Sequence, residues 1–181
     1  YPVNNKTLET RIEEFDYIAK TGSQICVYVC DKVESFLKKK YENYKTIQII
    51  KIELENLDIY KTCSQEPNIQ LPCNRNPIKD TFEYIRLMHS KLDFLHHAIT
   101  TNPFQSEIFA WVDFNITHIV NHVHEKKYIA SFFKQLWDIN PNKMESVIIP
   151  GCWSRIESVE SIMDNIHWRF CGGFFVGKKQ D

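Results

Sequence analysis

Hydrophobic positions in this chain recur first at helical and then at strand spacing. Leu8, Ile12, Phe15 and Ile18 fall on one helical face, and Gly22 stands where that helix should stop. Residues 24–30 form a short apolar, β-branched run ended by Asp31, the pattern of a strand buried on both faces. A second helix is predicted from Val33 to about Tyr44, with Lys38, Lys39 and Lys40 on a solvated face, followed by a strand over 46–54. Helix, strand, helix, strand at these lengths predicts right-handed βαβ units. The regularity then breaks over 56–77, where Pro67, Pro72 and Pro77 predict a long irregular loop of the kind that often carries function. Asp80 and Glu83 have capping-box spacing and open a long helix whose buried stripe is Phe82, Ile85, Met88, Leu92, Leu95 and Ile99, stopped by Pro103. A central strand over 108–112 ends at Asp113, a helix follows over about 126–137, and 146–150 reads as a short strand. A last strand, 169–177, is interrupted by Gly172 and Gly173. With no repeat and no linker, residues 1–181 read as a single α/β domain.

Composition narrows the function more than the fold. With 22 Lys+Arg against 23 Asp+Glu, the net charge of -1 leaves no cationic surplus for displacing counterions, which argues against nucleic-acid partners. No apolar run approaches the roughly 18 to 20 residues of a membrane span. The start, Tyr1-Pro-Val-Asn-Asn, has neither the basic nor the apolar region of a signal peptide, so a cytoplasmic location is expected. The six cysteines contain no C-x2-C pair, which argues against a zinc ribbon. Cys26 and Cys30, in one strand, stand about 13 Å apart, beyond disulfide reach. Cys63 and Cys73 flank a loop, and free thiols are the expectation for them.

The chemistry-bearing positions each carry a plain structural alternative. Asp113, at the carboxyl end of a strand, stands where open α/β sheets meet ligands. With Asn115 it offers two oxygen donors suited to Mg or Mn, unless it merely caps the following turn. Gly172 and Gly173 mark a close backbone approach, or else a bulge. Arg75 and Lys79 flank a helix start that favours phosphate, or belong to a solvated basic loop. Lys91, beyond the buried stripe, reads by default as a surface lysine. His118, His122 and His124 lack the Glu of a zinc-protease motif and read as surface histidines. No P-loop, G-x-G-x-x-G or G-x-S-x-G is present, which disfavours P-loop NTPases, dinucleotide oxidoreductases and serine hydrolases.

Five blocks in order resemble the HtrL/YibB (WlaTC-type) glycosyltransferase family. They are Asn74-Arg-Asn-Pro-Ile-Lys-Asp-Thr-Phe-Glu-Tyr84, Ser90-Lys91, Asn102-Pro-Phe104, Phe109-Ala-Trp-Val-Asp-Phe114 and Trp168-Arg-Phe-Cys-Gly-Gly-Phe-Phe175. The resemblance implies a three-layer GT-A-like domain with a mostly parallel central sheet. It further implies a divalent-cation-dependent transfer from a nucleotide-sugar donor to a glycan or glycolipid acceptor. Asp113 would then belong to the metal-diphosphate motif, and Gly172 and Gly173 would lie near the donor sugar. Arg75, Lys79 and Lys91 would contact the donor, and Asp31, which ends the first strand, joins the expected donor-side set. Asn115 stands where the family has Gly, so its role as a metal ligand rests on spacing alone. Family members extend further, so the chain is expected to be incomplete at one or both ends. A non-catalytic nucleotide-sugar-binding module is the runner-up, and a metal-dependent hydrolase the third reading.

Overall fold

The computed structural model describes residues 7–65, 70–136, 139–151 and 171–179. Helix α1 (Leu8–Ala19) starts at Thr7, whose hydroxyl accepts the Thr10 N–H, and turns through Gly22 at φ +78 into β1 (Ile25–Val29). Glycine is needed there because that backbone region penalises a Cβ. Helix α2 (Asp31–Lys40) has only Leu37 fully buried, and β2 (Ile47–Lys51) pairs in parallel with β1, Ile25 opposite Ile47. The expected βαβ unit is therefore present, with shorter elements than the apolar runs alone suggest.

Two elements depart from the sequence pattern. The region expected to be irregular after Asn56 contains α3 (Asp58–Ser64), which buries Tyr60. The long helix is two, α4 (Phe82–His89) and α5 (Lys91–Thr101), meeting at the fully buried Ser90. The cap also differs. Thr81, not Asp80, is the N-cap, its hydroxyl accepting the Tyr84 N–H at 3.2 Å. Asp80 is buried and accepts the Asn76 N–H at 3.0 Å, so it staples the loop instead of starting the helix. Asn102, left-handed at φ 36, closes α5.

Strand β3 (Ile108–Val112) ends at Asp113 as expected, but it pairs antiparallel with β4 (Phe174–Lys178). Gly172 and Gly173 precede β4 in a turn and do not interrupt it. The expected strand at 146–150 amounts to a bridge from Ile148 to Val176. Helix α6 (Val123–Gln135) starts earlier than predicted, at a His122–Glu125 capping box that absorbs His122 structurally. Trp168, Arg169 and Phe170 of the last block lie outside the described residues.

Among the described residues the expected mostly parallel sheet is thus two pairs, parallel β1–β2 and antiparallel β3–β4. Helices tie them together. Phe15 of α1 stacks on Phe114 after β3 at 4.5 Å, while Ile12, Phe15 and Ala19 pack with Val27 and Val29 of β1. Ile18 reaches Ile116, Phe133, Phe174 and Val176. On the other face, Phe94 of α5 touches Tyr28 of β1 and Trp111 of β3, with centroids at 5.1 and 5.7 Å. Because successive strand residues face opposite ways, α1 and α5 lie on opposite faces of the strands. No helix among the described residues is long and apolar enough to cross a membrane. Cys26, Cys30, Cys63, Cys73 and Cys171 are free thiols, as expected for the first four.

Candidate functional site

The centre of the candidate site is a polar knot at the carboxyl end of β3. Lys91, the first residue of α5, is 7% exposed and drives its ammonium inward. Its Nζ donates to Asp113 Oδ1 at 2.8 Å and to the Gly172 carbonyl at 2.6 Å. The surface lysine expected from the helical stripe is corrected here. The break at Ser90 begins a new helix, and Lys91 at its first turn points into the fold. Burying an ammonium requires charge and hydrogen-bond compensation, which Asp113 and Gly172 supply. Trp111 Nε1 also donates to Asp113 Oδ1, at 2.7 Å, and the ammonium stands 5.4 Å from the Trp111 ring centroid. The Asp113 side chain itself remains 37% exposed, so one carboxylate edge stays open to solvent.

Gly173 explains half of the glycine pair. A Cβ there would meet Ile116 Cδ1 at 2.8 Å and Asp113 Oδ2 at 3.3 Å, and the Asp113 N–H donates to the Gly173 carbonyl at 2.8 Å. The glycine lets the knot close. A Cβ at Gly172 would meet nothing within 4 Å, so its residue type is not explained by packing.

Tyr84, in the first turn of α4, is a residue that the sequence pattern did not single out. Burial raises the Tyr84 hydroxyl above its usual range, and the carboxylates of Asp113 and Asp80 push it the same way. Lys79 stands over the Tyr84 ring at 5.7 Å. Arg75 is partly buried, its Nη1 donating to the Pro72 carbonyl at 3.1 Å, while its Nε is buried with no hydrogen-bond partner among the described residues. The structure therefore brings Lys91, Asp113, Gly172 and Gly173 together directly, while Lys79 meets the ring of Tyr84.

Two expected members stand apart in their contacts. Asp31, exposed at the start of α2, pairs with Lys51 at 2.7 Å, and the Lys51 hydrogen bond and charge lower its pKa. Asn115 engages His118 through its carbonyl, which accepts both the His118 backbone N–H at 3.0 Å and a ring bond at 2.6 Å. For a Mn or Mg ion, Asp113 Oδ1 already accepts from an ammonium and an indole, so Oδ2 is the oxygen that this carboxylate would offer, with water and phosphate oxygens completing the shell. Among the described residues, no group of three His, Cys, Asp or Glu side chains converges as a metal site.

No curated protein and no solved structure matches the chain. The HtrL_YibB profile, described as a bacterial protein of unknown function, matches residues 3–181, and on that coverage the chain belongs to the HtrL_YibB family.

Proposed function

We propose that this protein is a GT-A-like glycosyltransferase that moves a sugar from a nucleoside diphosphate sugar to a glycan or lipid-linked acceptor. The observation that carries the reading is the knot of Lys91, Asp113 and the Gly172 carbonyl at the end of β3. Strand carboxyl ends are where α/β sheets receive ligands. A donor diphosphate needs cationic partners, and Lys79 and Arg75 are the candidates to supply them from the loop. Lys91 is committed to Asp113 and Gly172, so its role is to fix the carboxylate and the glycine turn. No step is routed through a metal.

The second reading is a nucleotide-sugar-binding module without turnover. It is favoured by one observation: Asp113 is already paired with an ammonium, which lowers its worth as an acceptor-activating base. The expected experiment is a thermal-shift and donor-hydrolysis screen over nucleotide sugars, with and without Mn. Sugar release supports the transferase, and binding without turnover supports the module. No response to any nucleotide sugar removes both. Arg75→Ala is expected to weaken donor binding by about 1.5–3 kcal/mol if the guanidinium makes a charged hydrogen bond to the diphosphate. Unchanged affinity on titration takes the loop out of the site.

A further inference from the structure

A second polar cluster lies outside the knot and takes no part in the chemistry above. After β3 the chain turns through Asp113 into a 3₁₀ helix, Ile116–Ile119, and the Ile116 N–H donates to the Asp113 carbonyl at 2.9 Å. Thr117, the next residue, has no exposed surface. Its hydroxyl stands 2.9 Å from the Glu14 carbonyl and 2.6 Å from Glu14 Oε2, so α1 supplies both of its acceptors. Glu14 is itself only 8% exposed, and its other carboxylate oxygen accepts from Lys126 Nζ of α6. The Lys126 ammonium stands 5.8 Å from the Tyr17 ring centroid. One carboxylate thus joins three elements that pack on one another pairwise: α1, the 3₁₀ helix and α6.

We infer that Thr117 is a positioning residue for the Asp113 carboxylate, held in place by Glu14 and Lys126. The Asp113 main chain is tied on both sides, its N–H to the Gly173 carbonyl at 2.8 Å and its carbonyl to the Ile116 N–H. A shift of the turn therefore moves the carboxylate. The other contacts of the turn are apolar: Phe114 stacks on Phe15, and Ile116 joins the cluster of Ile18, Phe133 and Phe174. Apolar contact is non-directional and lets surfaces slide, whereas a hydrogen bond holds one atom to another. Alignment matters at this carboxylate, because Oδ1 must meet an ammonium from α5 at 2.8 Å and an indole N–H from β3 at 2.7 Å. An apolar filling of the same volume is often as stable as a buried ion pair, so what the Glu14 cluster adds is geometry. Its meaning for a ligand rests on the transferase reading above: Oδ2, the oxygen that Lys91 and Trp111 leave open, is the one that Thr117 aims.

The Trp111 indole N–H reports on the carboxylate, since it donates to Asp113 Oδ1. The chain has four tryptophans, and the Trp111 signal is the one that Trp111→Phe removes from the NMR spectrum. Thr117→Val, which keeps the volume and removes the hydroxyl, is expected to speed solvent exchange of that proton by about 10-fold or more. Thr117→Ser is expected to keep the slow rate. Leu37→Ala, which weakens the fold away from this cluster, is expected to leave the rate within about two-fold. Unchanged exchange in Thr117→Val overturns the inference. An equal rise in Leu37→Ala or in Thr117→Ser also overturns it, by making Thr117 a residue of general stability or of packing. Should Thr117→Val not fold, Lys126→Met decides. It frees Glu14 to swing away, so exchange is expected to rise by about 3-fold or more, and an unchanged rate overturns the inference. These rates need no ligand, so a nucleotide-sugar screen without any response removes the transferase reading while the exchange rates still decide the positioning role.

Discussion

The two strand pairs, β1–β2 and β3–β4, belong to halves of the molecule that are built on different physics. The β1–β2 half is held by shape and apolar area: Ile12, Phe15, Ala19, Val27, Val29, Leu37 and Tyr41 form one buried cluster. The β3–β4 half adds to its own cluster, around Phe133, Phe174 and Val176, a charged knot in which one ammonium holds a carboxylate, a glycine turn and an indole in register. Apolar burial is non-directional, so the first half tolerates variation in which side chain fills a position. The second half depends on hydrogen bonds to specific atoms, and losing one partner strands the other. Function is proposed at the half whose geometry is specified by directional contacts.

The largest expected effect lies on the apolar side. Leu37 is 2% exposed and is the only buried residue of α2, so Leu37→Ala should destabilise the protein by about 2–5 kcal/mol through lost transfer energy and an unfilled cavity. Urea denaturation checks it. A loss near zero would mean that α2 is not anchored by this side chain.

A smaller effect, with a sharper diagnosis, is expected at the knot. Breaking a buried pair by removing one partner costs about 3–5 kcal/mol, but Asp113 is partly open to solvent, so Asp113→Ala should cost about 1–3 kcal/mol. Asp113→Asn keeps an acceptor for Lys91 and Trp111 and should recover part of that loss. If both variants melt like the parent, the carboxylate is free of structural duty and the two halves do not differ as described. A melting temperature lowered equally by both substitutions would assign the stabilisation to charge rather than to hydrogen bonding.

The smallest effect separates the halves by pH. Burial, as the largest cause, raises Tyr28 and Tyr41 in the first half and Tyr84 beside the knot above the ordinary tyrosine value of 10.0. Tyr41 is raised further because its hydroxyl donates to Asp16. Native tyrosines then keep protons that unfolded ones release, so this contribution is fully present below about pH 10 and is lost as pH rises above it. Thermal melts between pH 8 and 11.5 should be flat and then fall. Tyr41→Phe should blunt the alkaline fall more than Tyr84→Phe does, because Tyr41 carries the larger shift. Equal alkaline profiles in all three proteins would break that ordering.

Much of the first half was legible from pattern because its stability comes from periodic burial. The helical spacing of Leu8, Ile12, Phe15 and Ile18 predicts α1, and the run at 24–30 contains β1. The βαβ order follows from those lengths, and Asp113 is found at the end of its strand as expected. In the second half, position on a helix misled. Lys91 looks like a surface residue because helical periodicity was continued through Ser90, and nothing local announces that the helix divides there. Asp80 has the spacing of a cap, but Thr81 next to it takes that role once Asp80 turns inward to Asn76.

What the sequence by itself determined was the set of elements with strong periods, the α/β class, and a short list of candidate polar residues. Those depend on interactions within a few residues, which one chain segment already contains. Tertiary structure decided that β4 runs antiparallel to β3 and that a lysine from one helix neutralises an aspartate 22 positions away. It also set Gly173 against Ile116 and Asp113, whose side-chain ends an added Cβ would have to displace. These are contacts between segments distant in sequence, where the deciding quantity is which atoms the fold leaves facing one another, and no local period encodes that.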